Sequence, residues 1–220
     1  MNQSLTLAQM ISVVILPLIF AITLHEVAHG FVAYLLGDKT PRVLGRLTLN
    51  PLKHIDAIGT IVMPILTLVL SNFVIGWAKP VPINSRNLRK PKRDLALIAG
   101  AGPFANLIMA LFWAAIARLD IILLQIKFLG PSLKALFYMG MYGIQINLML
   151  MLLNLLPIPP LDGGHILVGL LPRKIAVYFE RIFTHGFIIL LILLAFGVIN
   201  FVIDPAMSFL FNIIRGLFGI

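Results

Sequence analysis

Cysteine is absent from this chain of 220 residues, so neither disulfide bonds nor thiolate metal sites are available to it. A metal ion would have to be held by histidine and carboxylate side chains. These residues are also few, with 5 histidines and 8 aspartates and glutamates in total. The scarcity of ligands confines the search for a metal site to a small number of positions.

Charged residues are scarce as well, at 11% of the chain, while 60% of the residues are hydrophobic and the mean hydropathy is +1.03. These values lie far outside the range of ordinary soluble domains and indicate a membrane protein. The apolar runs do not alternate apolar and polar residues with a period of two, which excludes a closed transmembrane barrel. The predicted fold is therefore an all-α polytopic membrane protein.

We predict about five to six transmembrane or re-entrant helical segments within a single domain, residues 1–220. The predicted segments are 8–36, 57–78, 95–118, 135–156, 182–203 and 205–220. Segment 57–78 contains Pro64 and has basic loops at both ends, so it either crosses the membrane or re-enters. Segment 205–220 is either a short span or an interfacial helix. The alternation in "RVLGRLTLN", residues 42–50, allows a short β-hairpin at the cytoplasmic face.

The net charge of +9 comes from lysines and arginines in the loops between spans. This distribution follows the positive-inside rule, with anionic lipid headgroups nearby. No basic stripe is interleaved with stacking aromatic residues, so we expect no nucleic-acid partner. No lysine or arginine precedes His25, so the first span lacks the basic region of a cleaved signal peptide. We therefore expect a multi-pass protein of the cell membrane whose N-terminus lies outside.

The stretch "ITLHEVAHGF", residues 22–31, places ionisable side chains within the first predicted span. On an α-helix His25 and His29 are one turn apart, so both imidazoles can reach one metal ion. Glu26 lies beside that face, where it can act on a metal-bound water as a general base. An ionisable residue inside a span indicates a functional site by default. The pattern H-E-x-x-H is typical of zinc peptidases.

A catalytic zinc ion needs a third protein ligand, for which two carboxylates are candidates. Glu180 is the only glutamate besides Glu26, and it lies in "VYFERIF" beside Arg181, as expected of an ordinary interfacial charge. Asp162 is embedded in the apolar stretch "LLPIPPLDGGHI", where prolines and glycines interrupt the helix. Asp162 could instead cap the helix that follows. We favour Asp162 as the third ligand.

Three stretches together resemble the site-2 protease family of intramembrane zinc metalloproteases: "HEVAHG", "AGPFANL" and "NLLPIPPLDGGH". The stretches "GRLTLNPLKHIDAIGT" and "GWAKPVPIN" are similar to the compact bacterial or archaeal branch without PDZ-like or nucleotide-sensing domains. The resemblance implies one zinc ion bound by His25, His29 and Asp162, with Glu26 as the catalytic base. It also implies that the enzyme cleaves transmembrane segments of membrane-protein substrates, in regulated intramembrane proteolysis.

Four further positions match the family's motifs. The resemblance implies that Asn154 lies near the active site, on the substrate backbone or the oxyanion. His54 is either a loop histidine at the interface or a contact to substrate or oxyanion. Asn106 would support the site, and His165 would assist the ligands without binding the metal. His185, alone in an apolar stretch, is expected to be packed or interfacial.

Two other functions use the same residues. A metal-ion transporter would need several sites along a path and polar residues paired across spans, whereas the ionisable residues here converge on one site. A non-catalytic protein that binds transmembrane partners would need no Glu26, because metal binding alone does not use that residue. Both comparisons favour the protease. Water and substrate are expected to enter from the cytoplasmic half of the membrane.

Overall fold

A computed structural model describes residues 7–62, 78–124, 132–183 and 185–220. Helices make up all the regular secondary structure of these residues. The α-helices are α1 (Leu7–Leu35), α2 (Thr40–Val43), α3 (Pro91–Leu124), α4 (Ser132–Leu155), α5 (Asp162–Leu170), α6 (Arg173–Phe183), α7 (Gly186–Ala195) and α8 (Val198–Phe218). The loops between α2 and α3 contain the 3-10 turns Pro51–Lys53 and Ser85–Asn87 and a π-helical turn, Ala57–Val62.

Four stretches of these helices are long and apolar enough to cross a membrane: Ser12–Leu35, Pro91–Leu123, Ala135–Leu155 and Val198–Phe218. The pair α6 and α7, bent by 71° at its break, makes a fifth if it counts as one span. The prediction of an all-helical, multi-pass membrane protein is confirmed over the described residues.

The helix α1 ends at Leu35, two residues before a glycine with an unusual backbone conformation. Gly37 has a φ of +116°, a conformation that side chains with a Cβ rarely adopt. The N–H of Asp38 then turns back to the carbonyl of Ala33 at 2.9 Å, which satisfies an orphan carbonyl at the helix end. The chain leaves α1 sharply, and the residues that follow fold back beside its last turns.

Small residues bring α3 and α4 into close contact. A Cβ at Gly140 would lie 2.9 Å from the carbonyl oxygen of Trp113, and one at Gly143 would collide with the Trp113 ring. The buried core at this contact comprises Ala110, Trp113, Ala114, Ile144, Leu148, Met151 and, from α8, Ile214. Small residues of both helices therefore lie at the contact: Gly140 and Gly143 of α4 and Ala110 and Ala114 of α3. This packing fixes α3 and α4 as a rigid wall beside α1.

The C-terminal helices differ from the predicted spans. Segment 182–203 is not one helix, because α7 ends at Ala195 and Gly197 adopts a left-handed conformation with a φ of +69°. The chain restarts as α8, which runs through the predicted boundary near residue 204 to Phe218. Hydropathy continues unchanged across this break, so an apolar count does not register it. Segment 205–220 is thus the larger part of a 21-residue candidate span.

The short β-hairpin allowed over residues 42–50 is not present, and that expectation is wrong. Pro41 sits in the first turn of α2, where its fixed φ suits a helix, and Gly45 then turns with a φ of +63°. The remaining residues up to Asn50 form irregular loop. Whether segment 57–78 crosses or re-enters depends on residues 63–77, which lie outside the described residues.

Candidate metal centre

Two histidines of α1 turn their rings toward one point. His25 and His29 are one helical turn apart, both 8% exposed, with ring centroids 4.6 Å apart. Their Nε2 atoms lie 3.0 Å from each other. The i, i+4 spacing therefore does what the sequence predicts, and α1 presents two imidazole nitrogens side by side within the protein.

Asp162 reaches the same point from the far end of α4. The chain leaves α4 at Leu155, passes through the proline-rich residues 156–161, and restarts as α5 with Asp162 at its first position. Gly163 is what permits this tight path, because a Cβ there would collide with the carbonyl oxygens of Leu155 and Leu156. Asp162 does not cap α5, since the N-cap residue is Leu161 and no side-chain cap bond is made.

The three atoms form a compact triangle. Oδ2 of Asp162 lies 3.3 Å from Nε2 of His25 and 3.4 Å from Nε2 of His29. In a tetrahedral zinc site with bonds of about 2.0 to 2.1 Å, neighbouring ligand atoms lie about 3.3 Å apart. Oδ2 is buried and accepts no hydrogen bond among the described residues. The donor set and its spacing fit a zinc ion with one coordination position open.

The partners of the two rings assign their protons. Nδ1 of His29 lies 2.6 Å from the carbonyl oxygen of Ile98, which can only accept, so Nδ1 must donate. Nδ1 of His25 lies 2.6 Å from Oδ1 of Asn106 and donates in the same way. Both Nε2 atoms are then left with lone pairs facing each other and a carboxylate oxygen. Three acceptors so placed are able to share one cation between them.

Space for the two imidazoles comes from a glycine of α3. A Cβ at Gly102 would collide with both rings, approaching Cε1 of His25 to 2.5 Å and also Nε2 of His29. Gly100, on the same helix, has open space at the corresponding position. The glycine in "AGPFANL" therefore serves the site by the side chain that it lacks.

Glu26 is held separately from the metal ligands. Its Oε2 accepts a hydrogen bond of 2.9 Å from the backbone N–H of Val81, in the loop that follows residue 77. The side chain is only partly buried, so its other oxygen is able to meet water. The carboxylate stays beside the triangle and is not one of the three converging ligand atoms.

Two loops form a cap over this side of α1, and we call residues 46–54 and 78–84 together the cap. Arg46, 8% exposed, donates from Nη2 to the carbonyl oxygens of Lys79 and Pro80 at 2.7 and 3.3 Å. The N–H of Lys79 donates to the carbonyl oxygen of His54 at 2.9 Å. Because Val81 follows directly, these bonds fix the N–H that reaches Glu26.

Asp38 fastens the cap to the end of α1. Its buried carboxylate accepts four hydrogen bonds: from the N–H and the hydroxyl of Thr40, the N–H of Asn84 and the side chain of Asn87. Burial alone would raise the pKa of Asp38, but these hydrogen bonds outweigh it and hold the pKa below its ordinary value. Asp38 is therefore a charged structural tie between α1 and the cap.

The other predicted site residues differ in their burial and in the groups that they contact. Asn106 is fully buried and contacts His25 directly. His54 is 2% exposed inside the cap, where its Nε2 lies 2.9 Å from the carbonyl oxygen of Thr48. Asn154 donates to the carbonyl oxygen of Leu150 in its own helix at 2.9 Å. His165 is exposed and its ring lies 4.7 Å from that of Phe183. Glu180 and His185 are exposed and do not belong to the group of converging ligand atoms.

Several groups at the site have no part in the sequence prediction. The carbonyl of Ile98 and the N–H of Val81 are backbone groups that any residue type supplies, so no motif marks them. Asn147 is different, because it is a polar residue inside an apolar span and 0% exposed. A polar residue inside an apolar span is itself a signal of function, and that part of the signal was available in the sequence.

Comparisons with known proteins agree with this geometry. The model of the family described as "Peptidase family M50" matches residues 121–194. A relative in Bacillus subtilis, "Putative zinc metalloprotease YwhC", is 37% identical over 199 residues, which cover 88% of this chain and 85% of the relative. No solved structure matches the chain.

Mycobacterial relatives extend the comparison. "Putative zinc metalloprotease Rip2" of Mycolicibacterium smegmatis is 31% identical over 146 residues, which cover 66% of this chain and 52% of the relative. Rip2 of Mycobacterium tuberculosis is 30% identical over 162 residues, which cover 73% of this chain and 58% of the relative. The chain thus spans a little more than half the length of the Rip2 proteins.

Proposed function

Because the chain belongs to peptidase family M50, the site-2 protease family, we propose that it is an intramembrane zinc metalloprotease. It hydrolyses peptide bonds within or near the transmembrane segments of membrane-protein substrates. The observation that carries the proposal is the triangle of His25, His29 and Asp162 with Glu26 beside it. The names of the relatives, zinc metalloproteases, point to the same activity.

One zinc ion per chain would be held by Nε2 of His25, Nε2 of His29 and Oδ2 of Asp162. The spacing of these three atoms supports their role as three protein ligands of one ion. When bound, the zinc ion supplies a Lewis acid that polarises the scissile carbonyl and lowers the pKa of a water molecule. Two hydrogen-bonded imidazoles keep their lone pairs directed at this point.

Glu26 is the general base and then the general acid. The N–H of Val81 binds Oε2 and orients the carboxylate, leaving Oε1 to take a proton from the attacking water. As the carbon–oxygen bond forms and the peptide carbon–nitrogen bond breaks, Glu26 passes that proton to the departing amine. The second proton of the water also goes to the amine, so the products are a carboxylate and a protonated amine, and Glu26 returns to its starting charge.

The site opens toward the cytoplasmic half of the membrane. His25 and His29 lie in the C-terminal half of α1, and the cap beside them carries Arg46, Lys53 and Lys79. An excess of basic residues is typical of cytoplasmic loops, and α1 then begins outside the cell membrane. A cavity of about 530 Å³ lies against the cap, between Arg46, Lys53, Lys79 and neighbouring apolar side chains.

The substrate is a transmembrane segment of another membrane protein, unwound locally so that its backbone reaches the triangle of His25, His29 and Asp162 and the carboxylate of Glu26. Helical backbone carbonyls are engaged in their own hydrogen bonds, so the scissile bond has to leave the helix first. Asn154 and His54 are candidates for contact with the substrate or the oxyanion. Asn106 and His165 are candidates for support of the ligands, and residues 1–220 act as one domain.

A single substitution separates proteolysis from metal binding alone. We expect Glu26→Gln to keep bound zinc at the wild-type level and to lose cleavage of a model transmembrane substrate, because the amide cannot take a proton from water. Both proteins are purified in detergent, bound zinc is measured by atomic absorption, and cleavage is followed on a gel. Unchanged cleavage in the variant would refute the proposal.

A further inference from the structure

A buried asparagine of α4 is connected to a metal ligand across three helices. We propose that Asn147 is a positioning residue for His25 and acts on it through Asn106. The proposal rests on the proposed function, because it takes His25 to be a ligand of the zinc ion at that site. Asn147 itself does not touch the reacting atoms.

The connection is continuous and fully buried. Nδ2 of Asn106 donates to Oδ1 of Asn147 at 3.1 Å, and Oδ1 of Asn106 accepts from Nδ1 of His25 at 2.6 Å. Asn106 and Asn147 are both 0% exposed. Water therefore cannot replace either amide, and each group has to find its partner within the protein.

Backbone carbonyls fix the direction of every bond in this chain. The carbonyl oxygen of Gly143 can only accept, so the amide of Asn147 must turn Nδ2 toward it, at 2.8 Å, and Oδ1 toward Asn106. The carbonyl oxygen of Ala21 likewise accepts from Nδ2 of Asn106, at 3.3 Å. Both N–H groups of Asn106 are thus used, and its Oδ1 can only face His25.

The consequence is that His25 has one permitted tautomer. A flipped Asn106 amide would present N–H to Nδ1 of His25 and would set its own oxygen against two acceptors, Ala21 and Asn147. Asn147 is one of these two acceptors, so its presence raises the free-energy cost of flipping the Asn106 amide. It therefore helps to keep the proton on Nδ1 and the lone pair of Nε2 directed at the metal.

Asn154 shows what an asparagine in α4 does without such a role. It too donates from Nδ2 to the carbonyl oxygen four residues earlier, Leu150, but it is partly exposed and no described residue donates to its Oδ1. The bond to the helix backbone is thus common to both residues. What distinguishes Asn147 is its complete burial and the N–H of Asn106 that it receives.

The test compares Asn147→Leu with Asn154→Leu in the full-length protein. Zinc affinity is measured by competition with a chromophoric chelator, and folding by thermal unfolding. We expect Asn147→Leu to weaken zinc binding about tenfold, the lower end of the range for residues that orient metal ligands. Asn154→Leu should leave zinc affinity within about twofold of wild type, whatever it does to cleavage. If Asn147→Leu does not fold, Asn147→Ser replaces it.

A spectroscopic signature and a double variant exclude a merely structural role. In zinc-loaded protein, the Nδ1–H proton resonance of His25 should shift and exchange faster in Asn147→Leu, while that of His29, bonded to Ile98, should not move. Asn106→Leu should weaken zinc binding more, and the double variant should bind zinc as Asn106→Leu does, because both changes act on one path.

Two results would overturn the proposal: wild-type zinc affinity in Asn147→Leu, or losses in the double variant that multiply. Neither measurement requires proteolysis. If Glu26→Gln still cleaved substrate, the proposed function would be refuted, but the zinc affinity of Asn147→Leu would still test the role of Asn147. Conversely, wild-type zinc affinity in Asn147→Leu would refute that role and leave the proposed function standing.

Discussion

His25 and Glu26 are neighbours in sequence, but unlike parts of the molecule hold them. His25 is hydrogen-bonded to Asn106 of α3. Asn106 in turn bonds to Asn147 of α4 and to a carbonyl oxygen of α1, so packed helices hold the ring in place. Glu26 accepts a hydrogen bond from a backbone N–H of the cap, and the position of that N–H depends on loop contacts to Arg46 and His54. The proposed metal ligand is thus held by packed helices, whereas the proposed base, which also lies on α1, is held by a loop.

Because helices hold His25 and a loop holds Glu26, we expect that substitutions can perturb metal binding and turnover separately. Substitutions among the helix residues that contact His25 and His29, which we call the helical side, should lower zinc affinity and, with it, activity. Damage to the cap should leave zinc in place and reduce only the rate of hydrolysis. The variants below test that separation.

Removal of the third ligand gives the largest expected effect. Asp162→Ala leaves two imidazoles, and we expect zinc affinity to fall by more than about 100-fold, beyond the range for residues that only orient ligands, with complete loss of cleavage. Chelator competition and a substrate gel measure both. Asp204→Ala, which removes an exposed carboxylate of α8, is the matched control and should match wild type. Full zinc binding by Asp162→Ala would contradict the ligand assignment.

A single methyl group on α3 should damage the helical side almost as much. In Gly102→Ala the new Cβ meets both imidazoles, so the rings must move or the helices must separate. We expect zinc affinity to fall by at least about tenfold, with cleavage falling in parallel. Zinc titration and unfolding temperature are the measurements.

Gly100→Ala provides the comparison on the same helix. Its Cβ has open space, so we expect unchanged zinc binding and a gain of about 0.5 to 1 kcal/mol in the free energy of unfolding from helix propensity. Equal zinc affinities in the two variants would show that the imidazoles do not depend on the missing side chain at position 102.

Loosening of the cap should give a moderate effect confined to turnover. Arg46→Met removes the donor that holds Lys79 and Pro80, so the N–H of Val81 no longer orients Glu26 reliably. We expect kcat to fall about tenfold, a part of the effect of a whole general base, with zinc affinity unchanged. Steady-state kinetics with a model substrate separate kcat from KM.

Arg42→Met is the control for Arg46→Met. Arg42 is exposed and contacts Tyr34 rather than the cap, so its loss should change neither kcat nor zinc affinity. A loss of zinc from Arg46→Met would erase the distinction between the two sides of the site.

The smallest expected effect concerns acid stability of the cap. The pKa of Asp38 is lowered in the folded protein, so its stabilising contribution is present above the unfolded pKa of 3.8 and is lost as the pH falls through the folded pKa. Asp38→Asn should therefore unfold at a lower temperature than wild type at neutral pH. The difference should shrink as the pH falls below about 4. A difference independent of pH would exclude the charged tie.

Sequence patterns predicted the helical side better than the loop side. His25, His29 and Asp162 were recognisable because helical spacing and ionisable residues in apolar stretches have direct physical meanings. The alternation over residues 42–50 misled, since a loop at an interface also sorts apolar and polar side chains without forming a strand. Gly197 breaks a helix where hydropathy is constant, and only its backbone conformation reveals that.

The contacts that orient the site were mostly invisible in sequence. Ile98 and Val81 contribute backbone groups, whose positions depend on how α1, α3 and the cap come together. Asn147 could have been singled out as a buried amide, but its partner lies on another helix, and single-sequence patterns do not pair residues across helices. The three residues that converge could therefore be predicted from the sequence, while the groups that hydrogen-bond to them could not.

The separation of the ligands along the chain also bears on biosynthesis. Two of them lie in α1, which leaves the ribosome before α3, whereas Asp162 follows α3, α4 and the proline-rich turn. A nascent chain that has inserted α1 alone holds only two imidazoles and lacks the wall that aims them. The proposed hydrolytic site can thus be completed only after α1, α3 and α4 have all been synthesised.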